Sequence, residues 1–222
     1  MSQSANAGHS STIVQAGRDA ILGIPKSPPN IRLVRLEIDD DQTHGTLRQK
    51  LNVILKNNGD YSAFLLRGSL ICSGSATIRL CNQIGMQFSL SKADWTYDVD
   101  IDSVDPSFVG HHSIEPNEVV NFNVMVARES GGHEPTVYRA HLKFDFDEGD
   151  SLETDDFHLM ISGPVVWQGG FQANGPSPDE WGNCQAENVR RLREIGFDYR
   201  DHIHPESRKY VEAVAPGIFD DE

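Results

Sequence analysis

Two-residue alternation, repeated in one short run after another, most constrains what this chain can fold into. Tyr138-Arg-Ala-His-Leu-Lys-Phe-Asp-Phe146 is the strictest run. Tyr138, Ala140, Leu142, Phe144 and Phe146 fall on one side, and Arg139, His141, Lys143 and Asp145 on the other. That period belongs to a strand with one buried face. Leu51, Val53 and Leu55 alternate with Asn52, Ile54 and Lys56, and Asn57-Asn58-Gly59-Asp60 then reads as a turn. Ala63 and Leu65 point one way after it, and Phe64, Leu66 and Gly68 the other, so residues 47–72 read as strand, tight turn, strand: the central pair.

Further runs flank that pair. Ile31–Ile38 alternates, with Leu33 and Val34 competing for the inward side. Ala76–Cys81 and Met86–Leu90 are short strands or one interrupted strand. Trp95, Tyr97, Val99 and Ile101 share a face, as do Phe122, Val124 and Val126, and Phe157–Ile161 closes the series. About seven or eight short strands with polar turns predict an antiparallel β-sandwich over residues 31–163.

Composition limits the function classes. The 222 residues suit one domain with appendages, and 38% hydrophobic against 23% charged residues is a folded composition. A net charge of −14 repels phosphates and anionic lipids, so neither nucleic acid nor a membrane is an expected partner. Residues 1–9 lack the basic-then-apolar pattern of a signal peptide, and no apolar run approaches membrane-spanning length. Cys72, Cys81 and Cys184 are odd in number and contain no CxxC, which predicts no disulfide framework and a reducing, cytoplasmic location. Cys72 and Cys81 are the two placed to approach each other across a hairpin.

The ends differ from the middle. Residues 1–24 carry the β-prone stretch Thr12-Ile-Val-Gln-Ala-Gly-Arg-Asp-Ala-Ile21, set apart by a proline-rich spacer at 25–30. In an extended chain Ile13, Gln15 and Gly17 share one face, and Val14 and Ala16 the other. The plain reading is an extra strand or short helix on the main domain. The sharper one is self-pairing through Thr12, Ile13, Val14, Gln15, Ala16, Gly17 and Ile21. Residues 164–222 read as an aromatic, glycine-rich loop and two helices. Ser177-Pro-Asp-Glu180 starts the first and Gly196 stops it; the second begins near Pro205 and carries Tyr210, Val211 and Val214.

Candidate chemistry is sparse. His202 and His204 alternate, His111-His112 falls in a polar loop, and His141 and His158 sit on neighbouring strands, either facing each other or lying on a solvated sheet face. None makes a metal site unaided. Asp145, Asp147, Glu148 and Asp150 are the best calcium set, against turn solubility and edge protection. No nucleophile elbow, phosphate loop or dinucleotide fingerprint is present, and no cofactor is implied. Trp167, Phe171 and Trp181 are the residues for a ligand cleft between sheet and helix, or else simple packing.

Two resemblances add to this. Ile13-Val-Gln-Ala-Gly17 resembles the Val-Gln-small-Gly core of RHIM-type amyloid signalling motifs, with Arg18-Asp19 departing from it. The resemblance implies self-association. The run from Leu51 to Leu65, followed by Ile114-Glu-Pro-Asn-Glu118 before Phe122-x-Val-x-Val126, resembles bacterial Ig-like sandwiches of the CARDB or fibronectin type. It implies a fold and a binding role. The expected function is therefore a non-enzymatic assembly protein, forming a homo-oligomer or pairing with a protein that carries a matching segment. A sugar- or peptide-binding sandwich is the alternative, and a metal-dependent enzyme the third.

Overall fold

The structure is a computed structural model, described here over residues 13–16, 19–22, 26–41, 48–79, 81, 96–128, 134–147, 149–161, 180–197, 203 and 205–219. Two short strands come first, β1 (Ile13–Ala16) and β2 (Asp19–Leu22). The body follows: β3 (Ile31–Asp41), β4 (Arg48–Asn57), β5 (Ala63–Thr77), β6 (Thr96–Asp100), β7 (Ser107–Ile114), β8 (Val119–Ala127), β9 (Thr136–Phe146), β10 (Ser151–Glu153) and β11 (Phe157–Ile161). Helices α1 (Trp181–Glu194) and α2 (Pro205–Val214) end it.

One sheet runs β3-β4-β8-β6; the other runs β10-β9-β5-β7, with β11 also on β9. The expected two-sheet, mainly β architecture with a C-terminal helical part is therefore present. All body pairings are antiparallel except β6 on β8, which is parallel. The strict run at 138–146 lies within β9, as its alternation requires: Leu142 and Phe144 are fully buried while the residues between them are half-buried.

Three expectations need correction. The runs on either side of Asn57–Asp60 do not pair. β4 takes β3 and β8 as its neighbours, and β5 takes β7 and β9, so the turn steps from one sheet to the other. Asn57 makes that step. Its Oδ1 accepts from the Gly59 and Asn30 N–H groups, and its Nδ2 donates to the Tyr61 and Ile114 carbonyls. Pro28 and Pro29 pack so closely on Gly59 that a Cβ there would sit 2.1 Å from the Pro28 carbonyl oxygen. Second, His111 and His112 lie in strand β7, not in a loop. Third, Cys81 and Cys184 form a disulfide, and Cys72 is the free thiol. The odd count concealed a bond between residues 103 apart in sequence.

Bulges explain where the alternation looked ambiguous. Ile31 and Leu33 face inward before the irregularity at Leu33/Arg35, and Leu36 and Ile38 after it. The apolar phase moves from odd to even numbers, as one extra residue requires. β5 is shifted twice, at Leu65/Arg67 and Cys72/Gly74. Leu65 and Leu70 lie in the core between the sheets, but Ala76 belongs to a second core with Ile78, Val137 and Met160. Tyr138, Leu159 and Ile161, adjacent in sequence to Val137 and Met160, lie in the first core. Neighbouring strand residues face opposite ways, so the second core occupies the outer face of the β9 sheet. Leu192, Phe197, Tyr210, Val211 and Val214 of the helical region complete it. The layers are thus sheet, sheet, helices.

Candidate functional site

Several buried amides of the body serve its construction. Asn188 of α1 acts as a strand for Arg79: its Oδ1 accepts from the Arg79 N–H and its Nδ2 donates to the Arg79 and Val214 carbonyls, each at 3.0 Å. The disulfide of Cys184 to Cys81 fixes the same helix to the same strand end. Gly196, at φ 67°, ends α1 with the Phe197 N–H on the Leu192 carbonyl, the left-handed cap its position predicted. Gln49, fully buried, accepts from the Met160 N–H at 2.8 Å and donates to Ser207 Oγ at 3.1 Å, joining both sheets to α2. These buried amides gave no distinctive sequence signal, because each lies within an ordinary strand or helix pattern.

The candidate ligands do not converge. His158 is fully buried against Phe197, with ring centroids 4.7 Å apart, and is registered opposite Arg139 rather than His141. His158 therefore neither faces His141 nor lies on a solvated sheet face. His141 instead reaches Asp156, which also holds Arg139 at 2.8 Å. Asp145 pairs with Lys143, and Asp147 accepts from the Phe64 N–H at 2.9 Å. Among the described residues no three His, Cys, Asp or Glu side chains lie close enough to hold a metal ion. His202 and His204 lie outside the described residues, as do Glu148, Trp167 and Phe171. Trp181, the third member of the aromatic cleft, is 40% exposed at the start of α1.

A groove of about 600 Å³ runs over β5 between Arg67, Cys72, Val104 and Lys143. Its cations are paired, Arg67 with Asp105 and Ser107, and Lys143 with Asp145 at 3.7 Å. Desolvation and the nearby Asp102 carboxylate push the thiol of Cys72, an exposed residue of β5, up to about 11. Burial likewise pushes Tyr138 up to about 12; Asp102, 3.4 Å from its hydroxyl, bonds to Arg128 at 2.7 Å.

The N-terminal stretch stands apart. β1 and β2 pair antiparallel, with Ile13 opposite Leu22, Val14 opposite Ile21, Gln15 opposite Ala20 and Ala16 opposite Asp19. Residues 13–16 and 19–22 are therefore not one extended strand but the two strands of one sheet. Ile13, Val14, Gln15 and Ala16 lie on β1 and Ile21 on β2, while Thr12 and Gly17 fall outside the described residues. Among the described residues this sheet pairs with no strand of the body. No helix among the described residues is long and apolar enough to cross a membrane. No protein-family model matches the chain, and no curated protein matches it.

Proposed function

We propose that this chain is a non-enzymatic assembly protein. Its N-terminal hairpin joins a second copy, or a partner carrying a matching segment, and the sandwich is the mount. The observation that carries this reading is that, among the described residues, the β1–β2 sheet pairs with neither body sheet. A lone two-stranded hairpin is at best marginally stable in water, and each of its outer edges is a row of backbone donors and acceptors seeking a strand. A second strand added there contributes main-chain hydrogen bonds for affinity and alternating side chains for specificity. The likeness of Ile13–Gly17 to self-associating motifs supports the same reading.

The body contributes rigidity. The buried amides of Gln49, Asn57 and Asn188 are committed to structural bonds. The test is sedimentation of the full chain beside its Val14→Asp form. The wild type is expected to exceed the single-chain mass of 24.7 kDa and the variant to fall to it, with the same melting temperature. A wild type that sediments as one chain at every concentration removes self-association and leaves only pairing with a second protein.

A further inference from the structure

We propose that the hairpin, not a single strand, is the repeating unit, so that each chain adds two strands to an open, translational stack of copies. This rests on the self-association reading above and specifies its geometry. The register inside one hairpin sets the large apolar residues opposite each other, Ile13 with Leu22 and Val14 with Ile21, and then Gln15 with Ala20 and Ala16 with Asp19. Placing β2 of one copy beside β1 of the next by simple translation reproduces every one of those pairs across the junction. The Val14–Ile21 and Ile13–Leu22 pairs then recur at every junction.

The two-fold alternative fails that match. Setting β2 against β2 antiparallel over the same four residues places Asp19 beside Leu22 and Ala20 beside Ile21. Charge points the same way. Strands in a sheet lie about 4.8 Å apart, so a stack of single strands in register would repeat Asp19 every ~4.8 Å. A hairpin per copy doubles that to ~9.6 Å, beyond the screening length of about 8 Å at physiological salt. This spacing weakens the Asp19–Asp19 repulsion that stacking the segment adds. β1 and β2 present different edges, so the junction is head-to-tail and translation does not close it into a ring.

The measurement is carbonyl–carbonyl dipolar coupling in the assembled full chain, with one ¹³C carbonyl at Ala20 introduced by joining a labelled synthetic segment to the rest. Isotopic labelling leaves the chemistry unchanged. Because coupling falls with the cube of distance, a ~9.6 Å repeat gives about eightfold weaker intermolecular coupling than a ~4.8 Å repeat. The weak coupling, removed on dilution with unlabelled chain, is the expected result. The strong coupling would overturn the hairpin stack, whether it came from in-register single strands or from two-fold β2 pairing, and would leave self-association standing. Coupling that dilution does not change also overturns the stack. A full chain with single-chain mass overturns the reading beneath it.

Discussion

The sandwich body and the N-terminal hairpin are both β-structure, yet they meet their obligations in opposite ways. In the body each sheet is covered on its inner face by the other, and the helices cover part of the second sheet's outer face. Its hardest junctions are bridged by buried amides: Asn57 between the sheets at one turn, Gln49 between both sheets and α2, Asn188 between α1 and the end of β5. The hairpin has one internal ladder and no partner sheet among the described residues. On the proposed reading, the body that completes itself is the mount and the hairpin is the connector. Changes in the body should therefore alter stability and leave mass alone, and changes in the hairpin should do the reverse.

The largest effect expected is from Phe144→Ala. The ring is fully buried and meets Phe122 edge-on at 5.9 Å, so its loss should cost about 3–5 kcal/mol in denaturant unfolding. Cys184→Ser comes next. It opens a loop spanning 103 residues, and about 2–4 kcal/mol should be lost, with reductant lowering the wild type to the same level. If reductant leaves wild-type stability unchanged, the disulfide contributes nothing and the helical layer is held by its core alone. Asn57→Ala strands two carbonyls and two N–H groups at the crossing turn and should cost about 2–3 kcal/mol. None of the three should change the assembled mass per folded chain.

The smallest effect concerns Glu187. Hydrogen bonds from Arg190 and Arg191 hold its carboxyl at about 2, below the usual range. A depressed acid contributes stability above its unfolded pKa, near 4.3, and loses it as pH falls through the folded value. The wild type should therefore approach Glu187→Gln in melting temperature between about pH 4.5 and pH 2. The gap at pH 7 should be small and shrink with salt, since the pair is exposed. A gap that widens toward acid would show that the ion pair is not its cause.

Much of the body was legible because its signal is local. The alternation of β9, the apolar face of β8 and the terminator Gly196 each lie within a few residues of one another, and the structure places them as their periods predict. What was hidden is what depends on distant partners. An Asn-Gly turn between two strands looks the same whether the strands pair or part, and only the Ile114 carbonyl, 57 residues away, makes Asn57 a crossing point. Cysteine number says nothing of pairing across 103 residues. The Cys81–Cys184 bond also removes the ground on which a reducing compartment was expected. β7 was missed because Gly110 and two histidines interrupt its apolar pattern. Gly110 is nonetheless required, since a Cβ there would lie 2.3 Å from the Leu65 carbonyl oxygen. The N-terminal segment read as β-prone, but a single extended strand and a hairpin share that composition. The register of Ala16 with Asp19 distinguishes them.

The most direct test of the account is the solution mass of the full chain beside that of a form lacking residues 1–24, across a range of concentrations. The full chain should form species heavier than 24.7 kDa whose size grows with concentration. The shortened form should stay a single folded chain, with the melting temperature of the body unchanged. Equal masses for the two forms, whether both single or both assembled, would contradict the claim that the hairpin is the connector.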